Sequence, residues 1–211
     1  MLEIIIKGII IGLFISVPLG PIGMLCVQRT LNRGRKYGMI TGLGASTSDL
    51  VYTIIALFFI SFVADFLETN KIIIQVVGSL VVIGFGVFIF RSNPSTQPLP
   101  NQTTQESMIG DYFSSFILTL SNPLILFVLI GLFARFDFLN SNTTTITYVS
   151  GISAILAGAC LWWAVLTFFT SKFRDKLSYR GLKTLNRAIG LIILIFGILG
   201  ISYNLYIIFF K

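Results

Sequence analysis

One proline recurs at the same place in two long apolar stretches of this chain. Pro21 closes Phe14-Ile15-Ser16-Val17-Pro18-Leu19-Gly20-Pro21, and Pro123 closes Phe116-Ile117-Leu118-Thr119-Leu120-Ser121-Asn122-Pro123. Aligned without gaps, Gly8 falls on Gly110, Phe14 on Phe116 and Ile15 on Ile117. Hydrophobic segments interrupted at corresponding places in two halves point to a transporter binding site.

Only 11% of the 211 residues are charged and 55% are hydrophobic, against about 25% charged in a soluble domain. The mean hydropathy is +0.91. Too little polar surface exists for a water-soluble globule. The apolar residues form six runs, 4–27, 38–63, 72–90, 112–133, 146–169 and 188–210, each near the roughly 20 residues that a membrane-crossing helix needs. A transmembrane barrel would need short alternating segments, and Ile189 to Ile201 does not alternate. The expected fold is an all-α integral membrane protein. It has six transmembrane helices arranged as two inverted three-helix repeats.

The first run lacks a basic start and a small-residue cleavage site, and it carries Glu3, so it does not read as a cleavable signal peptide. There are no histidines, which excludes a His-based catalytic or metal site. Cys26 and Cys160 both sit in apolar segments, where isolated cysteines act as small hydrophobes. We read no cofactor, no metal site and no enzyme.

The net charge of +7 is unevenly spread. Arg29, Arg33, Arg35 and Lys36 follow run one, Arg91 follows run three, and Lys172, Arg174, Lys176, Arg180, Lys183 and Arg187 lie between runs five and six. The other side keeps Lys7, Lys71, Arg135 and Lys211. Lys and Arg concentrate in cytoplasmic loops, so both termini are expected outside. Nucleic-acid binding, the rival reading of a basic chain, does not fit short loops beside membrane spans.

Residues 92–107 are rich in Pro, Gln and Thr and poor in apolar side chains, the composition of a flexible linker. The charge pattern makes this linker cytoplasmic. It divides one membrane domain, 1–211, into repeat one (1–91) and repeat two (108–211). An odd number of helices per repeat turns the second upside down. Gly42-Leu43-Gly44-Ala45 resembles Gly151-Ile152-Ser153-Ala154, and Gln75 with Gly78 resembles Arg187 with Gly190.

A proline donates no hydrogen bond to the carbonyl four residues before it. Pro18 therefore frees the carbonyl of Phe14, Pro21 that of Val17 and Pro123 that of Thr119. Gly20 adds backbone freedom, and Asn122 can cap a restarting helix. Two half-helices per segment follow, with free carbonyls for a cation and a positive helix end for an anion. An amino-acid zwitterion presents both charges. A single proline would read as a simple kink, which membrane helices tolerate; the symmetric pair favours a site at Pro18, Gly20, Pro21, Asn122 and Pro123.

Asp49 lies near the middle of run two, the only acidic residue deep in any run. An ionisable group at that depth costs several kcal/mol and by default faces a cavity or a partner. Such a carboxylate can take up and release a proton. Ser46 and Thr53 share its helix face, with Tyr52 beside them. The bland alternative is a structural Asp bonded to a neighbouring helix. Ser46 and Tyr52 join Asp49 as candidates for holding a polar substrate or supporting the carboxylate.

Pro18-Leu19-Gly20-Pro21, the Gly-rich second run bearing Asp49, and Asn122-Pro123 resemble the motifs of the LysE/RhtB family of bacterial amino-acid exporters. Leu19, Leu124 and Ser48 depart from the usual residues at their places. The resemblance implies a plasma-membrane secondary transporter that exports amino acids or close analogues, driven by the proton gradient. Its partners are then a small-molecule substrate and the lipid bilayer, with no nucleic acid. Gly8-x-x-x-Gly12 permits close helix packing, and with it a homodimer. Two alternatives remain open. A metal-ion or other small-solute exporter on the same scaffold would want several membrane carboxylates. A thiol–disulfide electron carrier would want one cysteine per repeat, yet Cys26 aligns with Val128.

Overall fold

The computed structural model describes residues 1–18, 20–62, 71–91, 107–136, 138, 145–172 and 179–210. These residues form eight helices and no strand. They are α1 (Leu2–Ser16), α2 (Pro21–Arg33), α3 (Arg35–Phe62), α4 (Lys71–Arg91), α5 (Met108–Leu120), α6 (Leu124–Phe136), α7 (Thr145–Lys172) and α8 (Tyr179–Phe210). The linker expected over 92–107 lies outside the described residues except for Ser107, which caps α5 by accepting from Gly110 N–H at 3.1 Å.

Both proline-bearing stretches are broken. α1 and α2 meet at 81°, and α5 and α6 at 68°. At the first break Gly20 is extended, with φ −79° and ψ −164°, and Pro21 takes the first helical position of α2, where its missing N–H is harmless. At the second, Asn122 Oδ1 accepts from Leu124 N–H at 3.2 Å, the expected cap. The Thr119 carbonyl does not stay free. The chain turns tightly enough that Asn122 N–H donates to it at 3.0 Å.

Among the described residues, three helical stretches are long and apolar enough to cross a membrane: Arg35–Phe59, Thr145–Lys172 and Arg187–Leu205. Each bent pair, taken as one span, makes five, and the apolar part of α4 is shorter. Large apolar side chains on the outer faces, such as Phe58, Phe59, Ile192 and Leu199, are exposed. The chain is a multi-pass membrane protein. The helices outrun the apolar runs where polar residues extend them. Arg29 and Arg33, assigned above to a loop, form the last turns of α2, because Gln28 to Arg33 carries no helix breaker before Gly34. Gly34 ends that helix at φ 100°, a conformation glycine adopts freely.

Helices approach closely through small residues, as membrane packing favours. Gly8 and Gly12 of α1 press on Gly151, Ala154, Ile155 and Ala159 of α7. The Gly8-x-x-x-Gly12 face is therefore covered within the chain. Gly44 of α3 meets Tyr112 and Ser115 of α5, and Ser48 Oγ donates to the Phe116 carbonyl at 2.6 Å. Gly86 of α4 meets Leu194 of α8. One difference breaks the correspondence between halves: α2 packs on α3, while α6 packs on α4, with Gly78 against the Gly131 carbonyl.

A charged joint ties α2 to α5. Arg29, 2% exposed, holds Nε 3.0 Å from Asp111 Oδ1. Its Nη1 donates to Thr41 Oγ1 and the Asp111 carbonyl, and its Nη2 to Ser114 Oγ. Arg33 Nη1 stands 2.9 Å from both Asp111 oxygens.

Candidate functional site

Where the two breaks face each other, the helices line a half-open cavity of about 280 Å³. Ile15, Ser16 and Pro18 line it from the end of α1, and Gly20, Pro21 and Ile22 from the start of α2. Asn122, Leu124 and Ile125 line it from the start of α6. Both restarted half-helices thus begin at the same space. Helix starts carry partial positive charge on their first-turn N–H groups; in α6 those of Leu124, Ile125 and Leu126 are taken up by Asn122 and Pro123. No side chain caps α2.

Asp49 of α3 is the one ionisable residue among the described lining residues, which α4, α5 and α7 complete. It is 4% exposed and accepts from Ser16 Oγ at 3.3 Å through Oδ2. That contact crosses from α3 to the last residue of α1, so the carboxylate is tied to the break itself.

Of the eight candidate residues, Pro18, Gly20, Pro21, Asp49 and Asn122 line the cavity. Ser46, Tyr52 and Pro123 do not. Ser46 is buried, and its Oγ has no partner. Tyr52 donates to the Leu120 carbonyl, joining α3 to α5 at the second break. Pro123 sits in the turn behind Asn122, and its carbonyl accepts from Leu126 N–H.

The matches to known proteins decide the family. The LysE type translocator model covers residues 13–203. The chain belongs to the LysE type translocator family. It is 26% identical over 203 residues to the "Putative amino acid efflux protein YcgF" of Bacillus subtilis (strain 168), covering 93% of this chain and 94% of the relative. It is 27% identical over 195 residues to the "Uncharacterized membrane protein YahN" of Escherichia coli (strain K12), covering 89% and 85%. No solved structure matches. Members of this family are transporters, and this translocator takes its place among them as a membrane protein with a small-molecule substrate.

Three polar lining residues of the translocator, Ser16, Thr119 and Trp163, escaped the sequence reading, along with the apolar ones. Ser16 is the one hydroxyl in α1 and sits two residues before Pro18, which is a usable signal. Thr119 and Trp163 carried none, since each lies in an unremarkable apolar run. Thr119 Oγ1 and Trp163 Nε1 are buried without partners. Cys26 is buried away from the cavity, with Sγ donating to the Gly38 carbonyl at 3.3 Å.

Proposed function

We propose that this translocator exports amino acids or close analogues from the cytoplasm, with Asp49 as both the ammonium-binding and the proton-carrying group. The observation that carries the reading is a single carboxylate among the described residues lining a half-open cavity at which two half-helices begin. The substrate ammonium meets Asp49, and its carboxylate meets the uncapped start of α2. Pro18, Gly20, Pro21 and Pro123 keep the half-helix ends open, Asn122 caps the second, Tyr52 braces α3 against the second break, and Ser46 lies on the Asp49 face of α3. The printed name of the Bacillus relative, an amino acid efflux protein, supports the substrate class.

In this proposal 1–91 and 108–211 are inverted repeats joined by a cytoplasmic linker in the bacterial inner membrane, with both termini outside. Helix neighbours support the repeat. α1 packs on α7 as its counterpart α5 packs on α3, and α3–α6 contacts answer α7–α2 contacts. Alternating access then works by moving one repeat against the other around the cavity.

The test is counterflow in proteoliposomes with a panel of labelled amino acids. Exchange that saturates and is lost in Asp49→Ala supports the reading. A well-folded protein that exchanges none of the twenty amino acids overturns it.

A further inference from the structure

Most of the side chains that line the cavity are apolar. Phe85, Phe88 and Ile89 line it from α4, at the three- and four-residue spacing that puts them on one helix face. Leu124 and Ile125 add to the apolar lining from α6. Among the described residues Asp49 is the one ionisable liner, and a substrate ammonium uses it. None of the other described lining residues is a carboxylate that would receive a side-chain ammonium or guanidinium, and none is a Lys or Arg that would receive a side-chain carboxylate.

The lining polar side chains divide in the same way. Ser16 is engaged with Asp49 and Asn122 with Leu124 N–H. Thr119 and Trp163, 4% and 3% exposed, keep a hydroxyl and an indole N–H without partners. Those two donors suit a substrate carboxylate, alongside the N–H groups that begin α2.

Resting on the amino-acid export reading, we propose that the substrate is a neutral amino acid with a branched or aromatic apolar side chain, seated against Phe85, Phe88, Ile89, Leu124 and Ile125. Burial favours such a side chain by about fourfold per methylene, so leucine exceeds alanine by one to two orders of magnitude.

The experiment is homoexchange in proteoliposomes loaded in turn with leucine, isoleucine, phenylalanine, alanine, serine, lysine and glutamate. The expected result is a kcat/KM for leucine at least tenfold above alanine and serine, with lysine and glutamate lower still. Ile89→Ser and Phe85→Ala should lower the leucine-to-alanine ratio at least tenfold, while Ile89→Val keeps it within about threefold. A ratio does not depend on how much protein folds. Preference for serine, lysine or glutamate, or a ratio unmoved by Ile89→Ser and Phe85→Ala, overturns the apolar seat and leaves amino-acid export standing. Absence of exchange for all twenty amino acids by folded protein overturns both.

Discussion

Arg33 and Asp111 stand 78 positions apart in sequence, yet Arg33 Nη1 lies 2.9 Å from each oxygen of the Asp111 carboxylate. Arg29 reaches the same carboxylate from one turn earlier on α2. Removing the carboxylate takes from the buried Arg29 guanidinium the anion it shares with Arg33. Breaking a buried pair in this way costs about 3–5 kcal/mol. Asp111→Ala should lower the thermal midpoint in detergent sharply, and Asp111→Asn less, because its amide oxygen still accepts. Arg33→Lys should be milder again, since Arg33 is partly exposed. An unchanged midpoint for Asp111→Ala would show that the joint contributes nothing.

Asp49→Asn separates binding from coupling. Asn keeps the size and polarity that Ser16 meets, and it cannot titrate. Gradient-driven export should fail in proteoliposomes, whereas substrate exchange, which moves no net proton, should survive at reduced rate. Full export by Asp49→Asn would assign coupling elsewhere.

Two glycines should respond oppositely to a methyl group. A Cβ at Gly158 would overlap the Ile9 backbone of α1. Overpacking of that kind costs about 1–3 kcal/mol, so Gly158→Ala should destabilise the fold. A Cβ at Gly20 meets nothing within 4 Å, and φ −79° suits any residue. Gly20→Ala should unfold at the wild-type temperature. Circular dichroism melts of the pair decide the matter, and equal losses would contradict the packing described.

The topology predicts labelling. Eleven Lys and Arg flank one side and four the other, and in the proposed topology the richer side, with the linker, is cytoplasmic. A cysteine at Ser95 in a Cys26→Ser, Cys160→Ser background should react with a membrane-impermeant maleimide only after permeabilisation. Reaction in intact cells would reverse the orientation.

Much of the fold was legible because its signals are local. A proline announces a break wherever it stands, so Pro21 and Pro123 located both bends. The long apolar runs located the helices. The cavity was half legible: Asp49 stands out by charge alone, but Thr119 and Trp163 matter through the company they keep after folding. Arg29 misled for a related reason. Charge suggested a solvated loop, yet Asp111, Thr41 and Ser114 receive it inside the bundle. Only the meeting of α2 with α5 reveals that pairing.

The seam between α1 and α7 sets the order in which this protein can be made. α1 leaves the ribosome first, and Gly8 and Gly12 then have no neighbour of their own. Their seat, Gly151 to Ala159, is synthesised on the order of ten seconds later at typical elongation speeds. In that interval the first segment waits in lipid with its groove uncovered. The α3 helix waits likewise for α5. Neither half can finish alone, because the small-residue face of α1 stays uncovered until α7 is made.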